Sequence, residues 1–180
     1  MLKYITMDIL SHGLWGSIIF GRRNRRSFWL SFIYGISPDF LSFGLLLIDR
    51  LIKSVITGEW QIGTGKPDLL SIPQYVSDLY NITHSFVIFI IVFVLVALYF
   101  KRPIWEMLAW PFHIFLDLFT HSTDFFPTPY LWPLPFIPVN GIPWSTPIIF
   151  FTNVFFLVLI YSVYVYKNKN YSKFKNRENR

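Results

Sequence analysis

The chain has 180 residues, 53% of them hydrophobic and only 14% charged, with a formal net charge of +6. That little charge excludes an ordinary soluble domain and points to a bilayer, where roughly 20 apolar residues per span leave room for one domain of about five spans. Cysteine is absent, which excludes disulfides, thiolate metal sites and a cysteine nucleophile, so any metal must be held by nitrogen and oxygen.

The first apolar stretch, about Met7 to Phe20, is short, interrupted by glycine, and carries Asp8 and His12. Lys3 is its only early positive charge, and the basic cluster follows the apolar run, so it reads as a retained first helix, tilted or partly inserted, and not as a cleaved signal. A second span, about Ser27 to Ile48, contains Pro38-Asp39. The proline should kink the helix and release backbone carbonyls beside the carboxylate, which suits a cavity wall. A loop from Asp49 to Asp78 follows, with room for short surface helices. The third span, Ile82 to Phe100, has no formally charged side chain, and His84 is its strongly polar interruption. The fourth, about Ile104 to His121, carries Glu106, His113 and Asp117. A segment rich in proline and aromatic residues, Ser122 to Pro147, predicts an outer loop packing Trp132 and Trp144 over the site, placed to act as a lid. The fifth span runs from Ile148 to Tyr166, and residues 167–180 form a basic tail.

Lys and Arg in the short connections orient the bundle. Arg22, Arg23, Arg25 and Arg26 follow the first span, Lys101 and Arg102 follow the third, and six basic residues lie in the tail. These clusters alternate as cytoplasmic segments should, which predicts an all-α multi-pass protein of the cell (inner) membrane, N-terminus outside and C-terminus cytoplasmic. The positive balance then reflects topology and attraction to anionic lipid, with no call for nucleic acid.

The same topology brings the four histidines toward the outer side. Ionisable groups within apolar spans are costly and mark functional sites. Asp39 lies past the middle of the second span, His84 opens the third, and His113, Asp117 and His121 are spaced four apart, a stripe on one helix face that also includes Glu106. Polar packing through interhelical hydrogen bonds is the plainer explanation of an isolated HxxxD. The desolvation cost and the concurrence of Asp39, His84 and His12 favour a metal site.

Ser11-His12-Gly13, Ser37-Pro38-Asp39, Thr83-His84-Ser85, His113-x-x-x-Asp117 and Leu131-Trp132-Pro133-Leu134 occur in the order seen in the YdjM-like membrane-bound metal-dependent hydrolases, which the chain resembles from about residue 8 to 134. The resemblance implies a metal-binding set of His12, Asp39, His84, His113 and Asp117, and is more distantly similar to zinc-dependent phospholipase C. The chain departs from the family at Leu41, where a second Asp is common, and at Leu79, where a His is common. His121, Asp124 and Asp8 are the residues available as replacements.

The ligating candidates are thus His12, Asp39, His84, His113, Asp117 and His121, with Asp39 and Asp117 as catalytic carboxylates. Imidazole and carboxylate suit zinc first, with manganese or iron as alternatives. A site at the outer interface favours a lipid or lipid-linked ester, above all a phosphoester, with Arg50, Lys53 and Lys66 as the outer basic residues able to steer it. Thr83 and Ser85 are placed to orient His84. No serine-hydrolase elbow, P-loop or dinucleotide fingerprint is present. Two other expectations stay open: a metal or proton transporter, for which Glu106 is the sole inner polar group in an otherwise apolar half, and a structural protein whose buried polar groups specify helix packing.

Overall fold

The computed structural model describes residues 2–58, 72–124 and 126–178, with side chains described for 9–58, 72–124 and 126–167. All of the regular structure described is helical: α1 (Leu2–Phe20), α2 (Arg25–Asp39), a π-helical turn (Phe40–Gly44), α3 (Leu45–Thr57), α4 (Gln74–Thr83), α5 (Phe86–Phe100), a 3-10 turn (Trp105–Leu108), α6 (Ala109–Thr120) and α7 (Pro147–Glu178). The all-helical expectation holds, while the boundaries differ in ways that shape the site.

The closest helix approach is between α1 and α2. A Cβ on Gly35 would lie 2.7 Å from the His12 carbonyl oxygen and 3.1 Å from the Gly13 Cα, so only glycine lets the two backbones meet here. Small residues at such crossings allow packing without a hydrophobic drive. Asn24 starts α2 as its N-cap, accepting from the Ser27 amide at 2.9 Å, which satisfies one orphan donor of the first turn.

The second predicted span lies within a longer helical run, from Arg25 to Thr57, interrupted only by the π turn. Pro38 sits inside α2 and cannot donate to the carbonyl of Tyr34, one turn back. The Ser37 hydroxyl donates to that carbonyl instead, at 3.0 Å. The π turn begins immediately after Asp39, and the Ser42 hydroxyl donates to the Pro38 carbonyl at 3.0 Å. Wide turns of this kind recur at functional sites, and here the irregularity falls directly after the buried carboxylate. Past Leu45 the helix carries Asp49, Arg50 and Lys53 beside exposed Leu51, Ile52, Val55 and Ile56.

The third predicted span corresponds to α5, with a separate helix, α4, ending at its start. α4 and α5 meet at 63°, with His84 and Ser85 in the break. Ser85 caps α5, its hydroxyl oxygen accepting from the Val87 and Ile88 amides at 3.1 and 3.3 Å. The loop after α6 covers the break: the Phe86 amide donates to the Tyr130 carbonyl at 2.9 Å and Ser85 donates to the Trp132 carbonyl. α4 starts at Gln74, eight residues before the predicted span. α7 continues to Glu178, so the tail expected after Tyr166 is helical through most of its length.

Among the described residues one helix, Pro147–Lys167, is long and apolar enough to cross a membrane; the bent pair α4–α5 passes the same test as a second, and Ile9–Phe20 is apolar but shorter. The Pro147–Lys167 helix has a mean hydropathy of 2.3 yet only 6% of it is buried. A core helix of a soluble protein would be mostly covered. α5 has the same character, with Ile90, Leu95, Leu98 and Phe100 exposed and Phe89 alone buried. The interior is mixed: an apolar cluster of Phe43, Leu46, Val76 and Tyr80 lies in a fold that also buries His12, Ser17, Ser31, Asp39, His84, His113 and Asp117.

Candidate metal centre

Three elements supply the centre. Asp39 ends α2, His84 occupies the α4–α5 break, and His113 and Asp117 lie one turn apart on α6. All four are buried, and one ligand atom from each falls within 4.8 Å of all the others. His84 Nε2 stands 3.3 Å from Asp39 Oδ1 and 3.3 Å from Asp117 Oδ2. His113 Nε2 stands 3.1 Å from Asp117 Oδ2 and 3.8 Å from Asp39 Oδ2. The two Nε2 atoms are 3.2 Å apart.

Hydrogen bonds on the far side of each ring fix what these nitrogens can do. His113 Nδ1 faces the Gly35 carbonyl at 2.7 Å, and His84 Nδ1 faces the Tyr80 carbonyl at 3.1 Å and the Thr83 hydroxyl at 3.0 Å. A carbonyl only accepts, so each Nδ1 carries the hydrogen and each neutral ring points its Nε2 lone pair inward. With both rings neutral, two inward lone pairs and two carboxylates converge, and such a buried group needs positive charge among it, from a metal ion or from protons on the imidazoles.

The spacing fits a small metal ion. In a tetrahedral site the ligand–ligand edge is about 1.6 times the bond, so bonds of roughly 2.0–2.1 Å give edges of about 3.3 Å. Four contacts lie between 3.1 and 3.3 Å, while His113 and Asp39 stand 3.8 Å apart and the set of four reaches up to 4.8 Å, so His84, His113 and Asp117 fit most closely and Asp39 stands farther out. The Gly35 and Tyr80 carbonyls act as the outer partners that orient ligating imidazoles. The chain thus holds a buried His/Asp group able to bind a divalent metal.

His12 and His121 approach the same cluster from its other side. His12 Nε2 lies 3.0 Å from Asp117 Oδ1, and its ring stacks on His113 at 3.8 Å. His121 Nε2 lies 3.8 Å from that oxygen, while its Nδ1 faces the Tyr80 hydroxyl at 2.9 Å and the Phe126 carbonyl at 3.1 Å. The two oxygens of Asp117 therefore divide the histidines: Oδ2 faces His84 and His113, and Oδ1 faces His12 and His121.

Other sequence expectations are corrected. The single stripe from Glu106 to His121 is broken at both ends, because Glu106 sits in a 3-10 turn and α6 stops at Thr120, leaving His121 extended. The Glu106 carboxylate accepts from the Ser27 hydroxyl at 2.6 Å, beside the first turn of α2. The part of the bundle around Glu106, expected to be apolar, is not uniformly so, since Ser17, Ser27 and Ser31 are buried. Asp124 is exposed. Lys53 pairs with Asp49 at 2.8 Å on α3, while Lys66 and the side chain of Asp8 lie outside the described residues. Trp110 braces the break by donating to the Thr83 carbonyl at 2.6 Å. Of the two loop tryptophans, Trp144 lines a cavity beside His12, and Trp132 brings its carbonyl to Ser85.

Tyr80 and Gly35 went unnoticed in the sequence. Each lies four residues before a cluster residue, His84 and Asp39, and so presents its carbonyl one helical turn below it. Tyr80 also stacks on His84 at 3.8 Å. Compared with known protein families, curated proteins and solved structures, the chain shows no match.

Proposed function

We propose that the protein is a multi-pass membrane metal-dependent hydrolase, N-terminus outside and C-terminus cytoplasmic, with its His/Asp centre at the outer end of the bundle and a lipid or lipid-linked phosphoester as substrate. The observation that carries this is the buried convergence of Asp39, His84, His113 and Asp117, each with a ligand atom within 4.8 Å of the others. The exposed apolar faces of α5 and α7 support a lipid environment, and the order of the motifs, which resembles that of the YdjM-like hydrolases, supports the reaction class.

His84, His113 and Asp117 would hold the ion, zinc first and manganese or iron as alternatives, with Asp39 completing the shell or standing beside it. A divalent metal so held supplies a Lewis acid for a phosphoryl or acyl oxygen and activates water near neutral pH. The two carboxylates are not equivalent: the Asp117 side chain is fully enclosed, whereas that of Asp39 keeps 8% of its surface accessible. Asp39 is accordingly the carboxylate placed to accept a proton from water, and Asp117 the one that ties the imidazoles together. The His113 and His84 rings are held in one tautomer by Gly35 and Tyr80, so neither has to reorient as charge develops.

Hydrolysis of lipid phosphoesters in mixed micelles, assayed with zinc or manganese restored after chelation, tests the reading. Turnover that returns with metal and is lost in His84→Ala supports it. Metal-loaded, folded protein that cleaves none of a panel of phosphate and carboxylate esters contradicts it. A transport reading has one observation in its favour, the buried serines between the centre and Glu106. It predicts metal flux into proteoliposomes, which a hydrolase would not show.

A further inference from the structure

A cavity of about 200 Å³ lies between α1, α6 and α7, with the His12 side chain in its wall. Since His12 Nε2 is 3.0 Å from Asp117 Oδ1, a single imidazole separates this space from the centre. Leu116 of α6, and Ile149 and Phe150 at the start of α7, form its apolar side, and Trp144 lies across one part of it. Three of its polar groups pair between α1 and α7: the Asn153 amide donates to the Ser11 hydroxyl and the Trp15 indole donates to Asn153, both at 2.8 Å. No Lys, Arg, Asp or Glu lines it.

We infer that this cavity takes the apolar chain of the substrate, with the ester end directed past His12 to the Asp117 side of the centre. The inference rests on the hydrolase reading and narrows its substrate class to a single-chain or chain-splayed amphiphile. A mostly apolar wall without Lys, Arg, Asp or Glu among the described residues disfavours a phosphate and accepts hydrocarbon. α7, one wall of the cavity, is tied to α1 through Asn153 and through the Tyr161 hydroxyl on the Leu14 carbonyl at 2.9 Å, and its remaining apolar surface is exposed, where a chain already in a bilayer would lie beside the cavity.

The probe is octyl phosphate carrying a terminal diazirine, photolysed with the zinc-loaded full chain in nanodiscs, with the matching alcohol as control and mass spectrometry to map the adducts. Adducts on Leu116, Ile149 and Phe150, stronger for the phosphate than for the alcohol, are expected. Ile149→Trp should lower them at least about tenfold, since two buried methylenes already carry that much, while Leu95→Trp on the exposed face of α5 leaves them unchanged. If Ile149→Trp fails to fold, Ile149→Ala replaces it, and the larger cavity should raise labelling by the decyl homologue. Adducts spread over the outer faces of α5 and α7 overturn the proposal. Equal cavity labelling by phosphate and alcohol overturns its link to the centre and leaves a structural lipid chain there. Wild type that binds no metal sinks the hydrolase reading and, with it, the cavity's role as a substrate site; wild type that binds metal yet labels diffusely sinks the cavity alone.

Discussion

Asp117 is the residue on which the centre turns, because each of its oxygens faces a different pair of imidazoles. Asp117→Asn keeps the volume but removes the negative charge from between four rings. Metal should be lost altogether in that variant, as read by metal content after gel filtration. The outer partners have smaller effects. Thr83→Val leaves His84 Nδ1 the Tyr80 carbonyl alone, and a chelator competition should show affinity lower by about 10-fold; unchanged affinity would mean that Thr83 does not orient the ring. The HxxxD spacing, His84 and Asp39 were all legible in the sequence, since polar groups in apolar spans stand out. Tyr80 and Gly35 were not, because both act through backbone carbonyls, which carry no residue-type signal.

At the level of elements, irregular backbone places the ligands. Asp39 is followed by a π turn, His84 stands in a 63° break, and His121 lies just beyond the end of α6. Pro38 announced the first of these in the sequence. Thr83-His84-Ser85 did not announce the second, because the apolar run downstream is strong enough to read as one straight span. The Ser37 hydroxyl that covers the Tyr34 carbonyl should matter for the first irregularity: Ser37→Ala leaves that carbonyl unbonded and should cost about 1–3 kcal/mol, seen as a lower midpoint in thermal unfolding. Gly35→Ala should be more severe. Its Cβ would meet the His12 carbonyl at 2.7 Å, forcing α1 from α2 and moving both His12 and the carbonyl that holds His113. Loss of metal together with stability is expected there. A variant that keeps wild-type metal content and midpoint would show that the α1–α2 contact does not set the site.

Among the described residues, a buried polar cluster lies beside a smaller apolar core, and α5 and α7 expose apolar side chains, a surface that lipid would cover. Composition made the apolar surface legible, and the basic clusters propose an orientation that side-chain geometry does not test. Because the chain has no cysteine, single introduced cysteines report topology cleanly. Asn140→Cys, in the loop after α6, should react with an impermeant maleimide on intact cells, and Asn24→Cys, in the arginine cluster, only after permeabilisation; the opposite pattern would invert the bundle and move the centre to the cytoplasmic side. The central claim is narrower than topology and can be tested without knowing the substrate. Metal content by mass spectrometry, on detergent-purified protein prepared without chelator or a histidine tag, should be compared among wild type, His113→Ala and Asp117→Ala. Stoichiometric zinc, manganese or iron in wild type, absent from both folded variants, is the predicted result. Folded wild type that stays metal-free after reconstitution would contradict the account and leave the buried histidines and carboxylates as helix-packing groups.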